Sequence, residues 1–336
     1  MNDSYEESRR LTPFLLSFFV TLLIMAGILY WITLFATATP AAPVAEEYVG
    51  PATVYLPQKE ERLCMLFAGA ENDHTAPDVF LLAGFLPDKG RIAVCLLPPK
   101  TLITTGDQWG TLEELFNRGG IAYAAKAVGS YLGVEITRSG YMEVPALSKL
   151  MESTGFFEYD LTVPLDYPLH QRQVVMSPGR RQLDGRAVAD ILAYPAYKGG
   201  ETERSDRGAM LITQMINYHL PTCLTAQGDT LIKSFLNNCQ TDLSFKDYEE
   251  RKASTRFLAT LTLPAATAVY VEGSLSRDYT TFLLTESCRA RLQSVYSGDG
   301  FAVTPDDVIT RDARLGAYER VEEEKPYPTP SSHLAP

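Results

Sequence analysis

The chain has 336 residues, with 30 Lys and Arg against 41 Asp and Glu, for a formal net charge of −11. That balance argues against a nucleic-acid binder, which needs a basic field on its surface. Five Cys and four His, with no CxxC and no His-rich cluster, argue against a structural zinc site.

Leu11 to Ala45 carries no charge, and within it Phe14 to Phe35 is dense in Leu, Ile, Phe and Val. A helix over that run is long enough to cross a hydrocarbon core ~30 Å thick. Arg9 and Arg10 precede it and Glu46 and Glu47 follow it. The positive-inside rule therefore places residues 1–10 in the cytoplasm and the bulk of the chain outside, anchored by a single pass over 11–35. Tyr30 and Trp31 fall at the outer interface. Ala36-Thr37-Ala38 offers the competing reading of a cleaved signal peptide, although signal h-regions are usually only ~7–15 residues long. Residues 36–61, rich in Pro and Ala, read as a stalk. Residues 62–296 have the composition of a globular domain large enough to bury a full core. Residues 297–336 are a tail, and Glu322 to Pro336, acidic and then Pro/Ser-rich, is expected to be disordered.

Leu63–Gly69 is an apolar run that predicts a buried strand. Val79–Phe85 and Arg91–Leu97 predict a hairpin turning at Pro87-Asp88-Lys89-Gly90. Thr111-Leu112-Glu113-Glu114 fits a capping box, so a helix starts there and stops at Gly119-Gly120. Ile121–Leu132 is a second helix ending at Gly133. Pro145–Thr154 puts Ala146, Leu147, Leu150 and Met151 on one helical face. Gly185–Tyr194 is helical and is interrupted by Pro195. Lys198-Gly199-Gly200 reads as a loop before a helix over Ser205–His219. Further helices are expected at Gly228–Leu236, Ser244–Leu258 and Asp278–Ser294, with a strand at Ala268–Glu272. Strands mixed with many helices predict an α/β fold, an α-β-α sandwich around a central mixed sheet. Cys64 and Cys95 lie in apolar runs and read as buried. Cys223 and Cys239 could pair outside the cell, which spacing alone cannot decide. No phosphate-binding glycine loop, dinucleotide motif or GxSxG elbow is present. Ser177-Pro178-Gly179-Arg180-Arg181 is basic and reads as a surface turn.

The order of elements resembles the LytR-CpsA-Psr family. A single span and stalk lead to a strand that opens at Asp78, then a hairpin into Leu96-Leu97-Pro98-Pro99-Lys100-Thr101. Gly119-Gly120, Leu132-Gly133-Val134, Leu183-Asp184-Gly185-Arg186-Ala187, Glu201 to Arg207 and Thr241-Asp242-Leu243-Ser244 follow in the family's order. The match covers about Arg62 to Tyr296. The resemblance implies transfer of glycopolymer from a polyprenyl-pyrophosphate carrier to peptidoglycan in the cell wall, assisted by Mg²⁺. Such a site needs several cations around the pyrophosphate, carboxylates for the metal, and an apolar groove for the lipid tail.

Carried over one residue at a time, the resemblance makes Asp78 the metal ligand and Arg204 and Arg207 the catalytic, phosphate-binding pair. The family's Arg and second Asp after the hairpin are replaced by Pro99 and Lys100. Its two helix-end Arg are replaced by Ala193 and Pro195, and its Gln after the second Arg by Gly208. Lys100 could stand in the metal's place beside Asp78 and neutralise a phosphate itself. Each residue also has a plainer reading. Asp78 could be a solvated strand start, Lys100 a hairpin-end lysine, and Arg204 and Arg207 a salted helix start beside acidic neighbours. The losses all fall on the phosphate and metal shell, and each lost oxyanion donor costs ~10²–10³ in rate. The expectation is a membrane-anchored protein of the cell envelope that binds polyprenyl (pyro)phosphate or wall glycopolymer through a degenerate site. A working phosphotransferase and a non-enzymatic envelope scaffold are the alternatives. A membrane-bound transcriptional regulator fits the acidic charge poorly.

Overall fold

A computed structural model describes residues 55–72, 75–106, 108–169 and 171–299. The expected span, most of the stalk and the tail from residue 300 lie outside the described residues. Among the described residues no helix is long and apolar enough to cross a membrane.

The three apolar runs form β1 (Leu63–Ala70), β2 (Val79–Leu86) and β3 (Arg91–Leu97), paired antiparallel with Leu66 opposite Leu82 and Leu82 opposite Cys95. The hairpin turns through a short 3₁₀ stretch closed by Gly90. A small hairpin of β4 (Leu102–Thr105) and β5 (Gln108–Thr111) leads into α1 (Leu112–Leu132). Its start is the expected capping box: Glu114 N–H donates to Thr111 Oγ1, and Thr111 N–H to Glu114 Oε2. Gly119 and Gly120 leave helical geometry, so α1 is two helical segments joined at a kink. Gly120 sits at φ 70°, which only glycine adopts freely.

β6 (Arg138–Glu143) lies parallel to β1 and leads into α2 (Val144–Thr154). β7 (Phe157–Leu161), β8 (Leu165–Leu169), β9 (Arg172–Met176) and β10 (Gly179–Leu183) form two small ladders, β7 with β10 and β8 with β9. Then come α3 (Gly185–Ala193), α4 (Gly200–His219), α5 (Gln227–Asn238), β11 (Gln240–Thr241), α6 (Phe245–Glu250) and α7 (Lys252–Ala259). β12 (Ala266–Ala268), the hairpin of β13 (Gly273–Leu275) and β14 (Phe282–Leu284), and α8 (Glu286–Ser297) complete the described chain. The central sheet has the order β11-β6-β1-β2-β3-β12. Its β1–β6 and β3–β12 pairs are parallel and the rest antiparallel, so it is a mixed sheet in an α/β fold.

The side chains of the central strands divide by parity, as the period of two requires. Leu66, Ala68, Phe80, Leu82, Cys95 and Leu97 pack against α1 and α8 in one solid core. Val94 and Leu96 belong to a second core with α2, α3 and α4. Gly185 explains part of the second packing. A Cβ there would lie 2.5 Å from Ser148 N, so α3 approaches the backbone of α2 as only glycine permits.

Several expectations are corrected. The helix over 205–219 begins earlier, at Gly200, because Glu203 accepts the Gly199 N–H at 2.7 Å and serves the open first turn. The helix over 244–258 breaks at Arg251. The strand expected at 268–272 is Ala266–Ala268, and the helix expected from Asp278 starts at Glu286. All five cysteines are buried free thiols. Cys223 touches Gly228 in the first turn of α5 and Cys239 follows its last turn. A helix of this length separates them by about 18 Å, beyond a disulfide's Cα reach of roughly 4.4–6.8 Å.

Candidate functional site: a cleft joined to an apolar cavity

β2 begins beside the end of β3, since Phe80 pairs with Leu97. This register brings Asp78 next to Pro98 and Pro99 at the ends of two interior strands of the sheet. α4 supplies the third wall. Asp78, Pro98, Pro99, Glu201 and Arg204 line one small cleft. The sequence therefore identified residues that do meet: Asp78 and Arg204, around the dipeptide that replaces the expected Arg.

Arg204 is held by protein acceptors. Its Nη2 donates to the Asp78 backbone carbonyl at 2.6 Å, its Nε to Leu192 O at 3.0 Å, and its Nη1 to the Glu201 carboxylate at 3.4 Å. One guanidinium faces two carboxylates here, a formal charge of −1 in the cleft. Arg207 lies elsewhere. Its Nε donates to Glu203 at 2.6 Å, its Nη1 to Thr162 at 2.8 Å, and its guanidinium sits over the Tyr197 ring. Burial pushes the Tyr159 and Tyr197 phenols above the ordinary tyrosine range, so Arg207 is packed among neutral rings. Arg207 lines neither the cleft nor the cavity described next. Two residues of one helix, three apart, thus serve different places: one a cleft, the other a buried ion pair.

Lys100 also turns away from the cleft lining. It is exposed, and its ammonium donates to the Tyr279 carbonyl at 3.2 Å. Mg²⁺ is usually held by one or two carboxylates together with substrate phosphates and water, and the carboxylates that line this cleft are Asp78 and Glu201. The position expected to supply a second carboxylate carries Lys100, Glu201 is paired with Arg204, and no cluster of three metal-ligating side chains exists among the described residues. Gly208 is closely packed at the cleft wall. A Cβ there would meet Leu96 Cδ2 at 2.5 Å and Leu192 Cδ2 at 3.0 Å. Two leucines that line the cleft occupy the space a glutamine would need.

Behind the cleft lies a cavity of about 470 Å³. Its walls are the alternate residues of β1 and β2 that do not enter the solid core, among them Met65, Phe67, Leu81 and Phe85, faced by α2, α4 and α5. The lining follows β1 from Leu63 to Ala70, roughly 20 Å at the rise of a strand. Asp78, Val79 and Leu192 line both cleft and cavity. At this end Arg186 pairs with Glu71, tying α3 to the loop after β1. The sequence motifs did not locate the cavity. Its signal was the apolar character of both parities in β1 and β2, which reads equally as a filled core.

No family model and no curated protein matches the chain in sequence. Solved structures do match in fold. A candidate transcription regulator from Eubacterium siraeum DSM 15702 superposes with a TM-score of 0.65 at 15% identity, covering 78% of this chain and 100% of the other. TagV from B. subtilis gives 0.60 at 16% identity, covering 72% and 98%. TagT bound to LI-WTA gives 0.55 at 13% identity, covering 73% and 94%. TagV and TagT are LytR-CpsA-Psr proteins, and this chain shares their fold over 72% and 73% of its length.

Proposed function

We propose that this is a membrane-anchored, extracytoplasmic protein of the cell envelope that binds polyprenyl (pyro)phosphate or a lipid-linked wall glycopolymer without efficient turnover. The carrying observation is the junction at Asp78: Asp78, Val79 and Leu192 line both the end of a long apolar cavity and a cleft of about 10 Å³ that holds one guanidinium. An isoprenoid tail removed from water needs the first, and a phosphate needs the second. TagT, of the same fold, is bound to a wall teichoic acid, which supports a glycopolymer ligand. The description of other neighbours as transcription regulators finds no support in this chain's acidic charge.

The cleft argues for binding over transfer. As the phosphoanhydride bond breaks, charge builds on non-bridging oxygens, and several preorganised cations must meet it. Here Arg204 faces Asp78 and Glu201, and Arg207 is committed to Glu203. Arg204 is the group we assign to the phosphate. Its contact with Glu201 at 3.4 Å is long enough to yield to a phosphate oxygen. Lys100 joins the phosphate site only by giving up Tyr279, so Lys100→Ala decides its role: unchanged phosphate-lipid affinity removes it from the site.

The test is to titrate the full chain in detergent with a polyprenyl pyrophosphate, with and without Mg²⁺, following tail binding and phosphate release together. Binding without release, weakened by Arg204→Ala and abolished by Leu147→Trp in the cavity wall, is the expected result. Release that is lost in Arg204→Ala would make the protein a transferase with a rebuilt site. Absence of binding would leave a scaffold.

A further inference from the structure

The helices that cover the cavity are held very differently. α4 has nine buried residues, among them Asp206, Ala209 and Leu211. α2 is seated on α3, where Gly185 lets the two backbones approach. α5 has one buried residue of its twelve, Gly228 in the first turn. Leu231, Ile232 and Phe235 of α5 line the cavity and are half-buried. Their apolar face covers a void. Its one aromatic contact across the space joins Phe235 to Phe67, with ring centroids 5.8 Å apart.

The contacts that keep α5 in place are polar and lie at the rim. Ser234 Oγ is 2.5 Å from Ser153 Oγ of α2. Near the start of α5, Asp229 accepts from Lys252 Nζ at 2.7 Å and from Tyr248 Oη at 3.2 Å. Polar contacts that water can reach are individually weak. No side chain caps the first turn of α5, and a helix of this length is marginal by itself in water. Its two ends are pinned. Gly228 sits against the turn Leu220–Leu224, where a Cβ would lie 2.6 Å from Cys223 Cα. Beyond Asn238 the chain joins the sheet, with Gln240 opposite Tyr141 and Thr241 Oγ1 donating to Ser139 O at 2.6 Å.

Size then limits the route into the cavity. The cleft at Asp78 has a volume of about 10 Å³, room for one water, so a branched hydrocarbon chain does not pass through it. The opposite wall is β1 and β2, each hydrogen-bonded to a strand on both sides. α5 is the part of the wall that costs least to move, because the dispersion contacts broken on its inner face are few.

We propose that α5 is a lid: it lifts from the rim between its pinned ends, and a prenyl tail enters and leaves the cavity sideways beneath it. This rests on the reading of the cavity as a tail site. A bound tail gives Leu231, Ile232 and Phe235 packing partners where they now face a void. The ligand therefore favours the closed lid and slows its own release.

The experiment uses the full chain in phosphatidylcholine nanodiscs, with stopped-flow binding of polyprenyl pyrophosphate and hydrogen exchange read by mass spectrometry. Ser153→Cys with Ser234→Cys places two thiols where the hydroxyl oxygens are 2.5 Å apart, near the ~2.0 Å of an S–S bond. Oxidised, this variant should take up and release the lipid about tenfold more slowly, and a reductant should restore both rates. Asp229→Ala with Ser234→Ala removes the rim contacts while introducing the best helix former. It should raise both rates roughly fivefold. Without lipid, α5 amides should exchange about tenfold faster than those of α4, and lipid should slow them. Uptake by the oxidised variant at the parent's rate, or rates unmoved by the alanine pair, overturns the lid. If no form binds the lipid, the cavity reading fails and exchange alone judges the lid. Faster exchange in α5 that the disulfide suppresses keeps it. Exchange in step with α4, or unmoved by the disulfide, ends it.

Discussion

The two faces of the central sheet are built from the same three strands and from equally apolar residues, yet they differ in what they touch. On the α1 and α8 side, Leu66, Phe80, Leu82 and Cys95 are fully enclosed by side chains. On the other side, Phe67, Leu81 and Phe85 line a void of about 470 Å³. Adjacent residues of one strand therefore do opposite work. Leu82 contributes dispersion and burial to stability, whereas Leu81 keeps water out of a space without filling it. On β1 and β2 the pleat puts a closed core on one side and the cavity on the other, while Val94 and Leu96 of β3 enter the second core.

The sharpest way to break this comparison is the pair Leu82→Ala and Leu81→Ala, measured by chemical denaturation. Leu82→Ala should cost about 3–5 kcal/mol, because it opens a new cavity in a closed core. Leu81→Ala should cost about 1 kcal/mol, because one side of the leucine already lacks partners. Equal losses would mean that the second face is filled in solution.

A smaller effect is expected where α6 meets β6. Asp247 accepts from Arg138 at 2.6 Å, and that guanidinium holds its carboxyl well below the usual carboxylate range. A depressed native pKa contributes stability that is present above the unfolded value of ~3.9 and is lost as pH falls through the native one. Asp247→Asn should cost about 2 kcal/mol at neutral pH, discounted because Arg138 is a third exposed. The gap between the variant and the parent should begin to narrow in thermal melts below about pH 4 and should close only in strong acid. A constant gap across pH would assign the loss to packing instead.

Ala189→Phe sharpens the contrast from the cavity side. A residue added to an empty space is not overpacked, so Tm should hold while polyprenyl-phosphate binding falls at least tenfold. A large loss of Tm would show that the wall has no room. The smallest effect concerns the thiols. Burial pushes Cys64 and Cys239 up to about 12, so native alkylation should be slow, and five thiols should react only on unfolding. Fewer than five would reveal a disulfide and contradict the separation imposed by α5.

The sequence made the framework legible where local chemistry is strong. The apolar runs of β1 to β3, the Thr111 capping box and the glycine stops at 119–120, 133 and 155 all fall where expected. It misread 278–285 as helix, although Thr280, Thr281 and Phe282 are β-formers and favour the observed hairpin. The short ladders from β4 to β10 lacked a periodic signal long enough to detect. Asp78 and Arg204, singled out in the sequence, line one cleft, but the commitment of Arg207 to Glu203 was decided by which face of α4 the sheet covers.

Period and composition in the sequence determine that β1 and β2 exclude water on both faces, since no polar residue interrupts either parity from Leu63 to Ala70 or from Val79 to Leu86. Whether such a face meets side chains or a void depends on how far the covering helices stand from the sheet. That distance is set by contacts remote in sequence, such as the seat of Gly185 on α2 and the reach of Arg204 to Asp78. Leaving water is a property of the residue itself. Filling the space it faces depends on neighbours that only the folded chain supplies.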